Sequence, residues 1–202
     1  MLKIFDRGSV SWILDPVGCW LFRAGIGPDA ITLTGTLGMV ASALWFFPRD
    51  QLLAGAVAVL VFALFDLLDG AVARARGHGT PFGTVLDATC DRIADGAVFA
   101  GLTWWCFEVA GDRPLAVAAL FCLVSAQVFS YIKARAEAAG LSGDGGMVER
   151  AERLAITLLG AGLTGLGVPF ALDVALWSLT GLQVVTVTQR MLAVRRSARE
   201  PR

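Results

Sequence analysis

Apolar runs separated by short polar turns fill most of this chain. Crossing the hydrocarbon of a bilayer as a helix takes roughly 20 predominantly apolar residues. Segments at about 30–47, 52–73, 81–107, 114–136, 148–166 and 171–191 approach that length, the first stopped by Pro48, Arg49 and Asp50. The pattern predicts an all-α integral membrane protein with six transmembrane helices. Residues 1–29 hold no run long enough to span. Val10, Ile13, Leu14, Val17 and Leu21 recur there at helical spacing, with Ser11, Asp15 and Arg23 elsewhere, which describes an amphipathic helix lying in the interface. The segment lacks the small-residue cleavage site of a signal peptide and is expected to be retained. The expected organisation is an interfacial helix over 1–29 and a six-span domain over 30–202.

Composition agrees. Of 202 residues, 56% are hydrophobic and 17% charged, whereas soluble domains carry about 25% charged residues. A soluble fold of this composition would expose large apolar patches, and disorder is excluded by the same figures. Seventeen basic residues balance 17 acidic ones, which argues against nucleic acid as a partner. Cys19, Cys90, Cys106 and Cys122 have neither disulfide-framework nor zinc-site spacing and read as small apolar fillers. With six spans, every lysine and arginine except Arg49 and Arg113 falls on the side of the two termini. The positive-inside rule makes that side cytoplasmic and the protein a multi-pass component of the cell membrane.

Charged residues within spans are costly and mark candidate functional sites. Asp66 and Asp69 stand at the cytoplasmic end of the second segment, Asp87 and Asp91 at the start of the third. Spacings of i,i+3 and i,i+4 place each pair on one helical face, and the short turn predicts that the two helices are antiparallel neighbours. Four carboxylates converging at low dielectric would repel one another unless cations intervene. An all-oxygen ligand set suits Mg2+ or Mn2+, and a metal pair could assist a phosphoryl displacement. Pairing with Arg74 and Arg92 is the competing structural explanation. Asp95, one turn further along the same face, reads as an internal ion-pair partner. Asp29 and Thr80 read as helix caps. His78 and the run Ser142 to Gly146 read as turns, and Trp45, Trp104, Trp105 and Trp177 as interfacial anchors.

The string Asp66-x2-Asp69-Gly70-x2-Ala73-Arg74-x8-Gly83-x3-Asp87-x3-Asp91 resembles, without gap or substitution, the signature of the CDP-alcohol phosphotransferase family. The resemblance implies a six-span, homodimeric enzyme that displaces CMP from a CDP-linked lipid with an alcohol, using two divalent ions per active site. It implies that Asp66, Asp69 and Asp87 ligate one ion and Asp66, Asp87 and Asp91 the other, with Asp91 also the general base. It further implies that Pro28, Asp29, Ala30, Ile31, Thr32, Gly70, Ala73, Arg74 and Thr80 bind CDP-diacylglycerol.

The segments around Pro28 to Thr32, Leu86 to Arg92 and Ser130 to Glu137 resemble the branch of the family whose acceptor is inositol phosphate. That likeness implies transfer of a phosphatidyl group to 1D-myo-inositol 3-phosphate, giving phosphatidylinositol phosphate and CMP. It places Ser130, Lys133, Arg135, Arg153 and Arg190 around the acceptor phosphate, where a cytoplasmic rim of basic residues is the simpler explanation. Two alternatives remain at this point. Glycerol 3-phosphate as acceptor keeps the chemistry, and a cation transporter would use the acidic residues for a permeating ion, with discontinuous helices or carboxylates near the midplane.

Overall fold

A computed structural model describes residues 16–76 and 79–199, and these are almost entirely helical. Residues 16–23 are helical (α1), and the remaining expectation of an interfacial amphipathic helix falls on 1–15, outside the described residues. There follow α2 (Pro28–Phe46), α3 (Leu52–Ala63), α4 (Phe65–Arg76), α5 (Pro81–Trp104), α6 (Arg113–Ala138), α7 (Arg150–Gly165) and α8 (Ala171–Ser197).

Local signals account for most helix starts. Prolines occupy the first turns of α2, α5 and α6, where no backbone N–H is required. Asp112 accepts a hydrogen bond from the backbone N–H of Leu115 (2.9 Å) at the head of α6. Glu149 and Glu152 form a reciprocal capping box at the head of α7. Thr80 caps α5 as expected, accepting from Gly83 N–H at 2.9 Å. Asp29 does not cap α2: the cap position is Gly27 and Asp29 lies within the first turn. Pro28 at the first helical position fixes this, since the cap must precede it.

Two segment boundaries depart from expectation. The second apolar segment is divided at Leu64 into α3 and α4. The Phe62 and Phe65 rings stack across the division with centroids 5.6 Å apart, and both rest on glycines of α2, Gly38 and Gly35. The fifth segment forms a helix of only 16 residues, short of a full crossing. Among the described residues, four helical stretches are long and apolar enough to span: Pro28–Arg49, Leu52–Ala75, Arg113–Ala138 and Ala171–Ser197. The helix α5 has the length, but Asp87, Asp91, Arg92 and Asp95 lower its hydropathy.

Packing neighbours form a closed ring in the order α2, α5, α6, α8, α7, α3 and back to α2. Met39, Val59, Val98, Ala119, Ala161 and Leu176, one from each of these helices, meet in the core. Close approach depends on small residues: a Cβ on Gly101 of α5 would lie 2.7 Å from the Ala43 carbonyl oxygen of α2. Outside the ring, large apolar side chains such as Leu37, Val57, Val117, Leu159 and Val174 are exposed. A surface of this kind is suited to lipid. Trp45, Trp104 and Trp177 are exposed as anchors would be, but Trp105 is buried, donating from its indole to Asp50 at 2.6 Å. Cys90, Cys106 and Cys122 are buried free thiols, as expected of apolar fillers, whereas Cys19 is exposed.

Candidate active site

The helix α4 leaves the ring and packs on α2 and α3. It does not pack closely on α5, contrary to the expectation of adjacent antiparallel helices; both instead pack on α2. Carboxylates facing one another across the gap disfavour close contact. The gap is a cleft of about 620 Å³, part of it open to solvent, whose wall includes Asp69 and Asp87. One carboxylate oxygen from each of Asp66, Asp69 and Asp87 lies within 4.8 Å of the others. Three hard oxygen donors this close fit a divalent cation of the Mg2+ or Mn2+ type.

Of the residues expected at the lipid head group, Pro28, Asp29, Thr32, Gly70, Ala73 and Thr80 line this cleft. Ala30, Ile31 and Arg74 do not: Ile31 is buried in the core, and Arg74 lines a separate smaller cleft with Cys19, Ala71 and Ala75. A Cβ at Gly70 would meet nothing nearer than an Arg74 guanidinium nitrogen at 3.6 Å. Gly70 is thus not required for helix packing, and its missing side chain keeps the cleft open. Gly83 lies at the opposite wall, where a Cβ would stand 3.1 Å from Thr80 Oγ1 and 3.3 Å from Asp29 Oδ1.

Thr32 has a role that the sequence did not suggest. Its hydroxyl donates to Asp69 Oδ2 at 2.6 Å, orienting a candidate ligand from the neighbouring helix. Arg150 is a second residue whose role the sequence does not suggest, since there it is one of many basic residues on the side of the termini. Its guanidinium binds Asp66, lies 2.8 Å from Asp91 Oδ1, and approaches Asp95 Oδ1 at 3.5 Å. The one available signal was its place at the first turn of a helix that begins with a capping box.

Asp95 is an ion-pair partner, as expected. It is 2% exposed, pairs with Arg153, which is 1% exposed, and lies 3.4 Å from Arg92. Arg92 also donates to Ser130 Oγ. The acceptor candidates are partly assembled. Arg153 and Arg190 flank the Phe129 ring, each guanidinium carbon 5.0 Å from its centroid. Arg190 donates to the Gly145 and Phe129 carbonyls, while Arg153 Nη1 is buried with no hydrogen-bond partner. Lys133 instead pairs with Asp144 (3.4 Å) and Glu137 (3.9 Å), and Arg135 is exposed.

The profile of the CDP-alcohol phosphatidyltransferase family matches residues 26–189, which includes the cleft and all these carboxylates. The chain belongs to this family. The phosphatidylinositol phosphate synthase of Mycolicibacterium smegmatis is 57% identical over 203 residues, covering 98% of this chain and 91% of the relative. A crystal structure of the Mycobacterium tuberculosis phosphatidylinositol phosphate synthase with CDP-DAG bound superposes with a TM-score of 0.90 at 53% identity, covering 94% of this chain and 98% of the other. Another of that enzyme, in complex with manganese and citrate, gives the same score and identity over 94% and 93%. This CDP-alcohol phosphatidyltransferase is a multi-pass membrane enzyme, and membership sets aside the transporter reading despite the division at Leu64.

Proposed function

We propose that the chain transfers the phosphatidyl group of CDP-diacylglycerol to 1D-myo-inositol 3-phosphate, giving phosphatidylinositol phosphate and CMP. The observation that carries this reading is the meeting of Asp66, Asp69 and Asp87 on a cleft between α4 and α5. It is supported by 53% identity to a synthase whose structure holds CDP-DAG. An acceptor hydroxyl forms a bond to the β-phosphorus as the bond from that phosphorus to the CMP oxygen breaks. Asp91 takes the hydroxyl proton.

Two Mg2+ or Mn2+ ions, one held by Asp66, Asp69 and Asp87 and the other by Asp66, Asp87 and Asp91, would supply charge neutralisation for the attacking and leaving oxygens. Thr32 fixes Asp69, Gly70 and Ala73 leave space for the nucleotide, and Pro28, Asp29 and Thr80 border it. Arg74 lies outside the cleft wall, but its guanidinium reaches to 3.6 Å from a Cβ built on Gly70, and from there it pairs with a phosphate. The acceptor phosphate is held by Ser130, Lys133, Arg135, Arg153 and Arg190, and the unpaired Nη1 donor of buried Arg153 favours this placement.

Six membrane helices, of which α7 is the short one, with an interfacial segment before residue 30, both termini and the cleft on the cytoplasmic side, and a homodimeric assembly complete the proposal. The basic bias supports the orientation. With the cleft near the surface, acyl chains stay in lipid while the soluble acceptor arrives from water. The test is product identification by mass spectrometry, using CDP-diacylglycerol with either inositol phosphate or glycerol 3-phosphate. Wild type should form only the inositol product, and Asp91→Asn should form very little. A glycerophosphate product would overturn the acceptor assignment, and CMP release unaffected by chelation would overturn the metals.

A further inference from the structure

Arg150 stands where two proposed ligands of the second ion converge. Its Nη1 contacts Asp66 Oδ2 and lies 2.8 Å from Asp91 Oδ1. Both carboxylates are thereby bridged by a single nitrogen. A divalent cation bound to the same two oxygens needs a position about 2.1 Å from each, within the space that the guanidinium fills. The two cations are therefore alternatives at that position.

The origin of the side chain is fixed, because Arg150 opens α7 behind the Glu149–Glu152 capping box and α7 packs on α3 and α8. Its remaining contacts are weaker. Nε faces Asp95 Oδ1 at 3.5 Å and is buried without a hydrogen-bond partner. An orphaned donor of this kind is costly, which lowers the barrier to leaving the bridge.

We propose that Arg150 is a tethered counter-ion that bridges Asp66 and Asp91 and is exchanged for the second divalent cation. This rests on the metal assignment given above. Asp69 and Asp87 make no ion pair with Arg150 among the described residues, so the first ion meets Arg150 at Asp66 alone, where the guanidinium holds Oδ2. The second must displace a guanidinium. Arg150 therefore orders the loading of the site and weakens the second ion, while keeping Asp66 and Asp91 paired until that ion arrives.

The test uses the full chain in detergent micelles, titrated with Mn2+ and followed by electron paramagnetic resonance of the free ion, alongside thermal unfolding. Wild type should bind two ions with unequal affinity. In Arg150→Gln the weaker ion should bind about tenfold or more tightly, the scale of one hydrogen bond to a charged group, with the stronger ion little changed. The variant should melt lower than wild type without Mn2+ and level with it at saturation. Arg150→Lys, which keeps a charge but loses the planar fork, should change both in the same direction by less, and it decides the matter if Arg150→Gln does not fold. An unchanged or weaker second ion in the folded variants, or a melting deficit that persists at saturating Mn2+, overturns the proposal. Wild-type protein that binds no Mn2+ would overturn the underlying metal assignment as well.

Discussion

Asp95→Asn isolates the electrostatics beneath the site. Asp95 and Arg153 are 2% and 1% exposed and paired, so the substitution keeps the shape but leaves a buried guanidinium without its counter-charge. Removing one partner of a buried pair costs about 3–5 kcal/mol. For a chain of this size, that corresponds to a fall in Tm of about 6–20 °C. The assay is thermal unfolding in micelles, with no substrate present. A double variant, Asp95→Leu with Arg153→Met, removes both charges and should recover most of the loss, because matched apolar replacement of such pairs is often neutral. Arg92 and Arg150 retain Asp91 and Asp66 as partners in that background. A Tm change in Asp95→Asn below about 2 °C, or a double variant no more stable than the single, would refute the argument.

Three further outcomes follow from the geometry. Thr32→Val removes the 2.6 Å hydrogen bond to Asp69 and should weaken Mn2+ binding about tenfold, within the range for supporting contacts to metal ligands, as read by titration. Gly101→Ala places a Cβ 2.7 Å from the Ala43 carbonyl oxygen and should cost about 1–3 kcal/mol by forcing α2 and α5 apart. Denaturation in micelles reads this, and a gain in stability from the better helix former would contradict it. Arg190→Gln should raise KM for the acceptor far more than KM for CDP-diacylglycerol, and steady-state kinetics with each substrate varied in turn would show an equal effect if the acceptor assignment were wrong.

The aspartate cluster was legible because helical spacing alone puts Asp66 with Asp69 and Asp87 with Asp91 on common faces. Spacing could not show that α4 and α5 stand apart, since that depends on both packing against α2. It also could not reveal Thr32 beneath Asp69, a contact between residues 37 positions apart. Asp29 has the residue type of a cap, but Pro28 at the first helical position fixes the cap at Gly27. The division at Leu64 carries no breaker in the sequence, since neither glycine nor proline stands between Val61 and Leu68. Arg150 is hidden by the same basic bias on which the proposed orientation rests: a rule about which side arginines occupy says nothing of which carboxylates they reach.

The ion-pair network also has an order in time. Asp95 precedes Arg153 by 58 residues and Asp66 precedes Arg150 by 84, so at about 5–20 residues per second a ribosome makes the acids several seconds before these bases. Arg92, by contrast, is made alongside Asp91 and Asp95. Until α7 emerges, Asp66 and Asp95 lack the Arg150 and Arg153 partners that they have in the folded chain. The acidic pocket is therefore completed from the C-terminal half of the chain, after the helices that carry it have been delivered to the membrane.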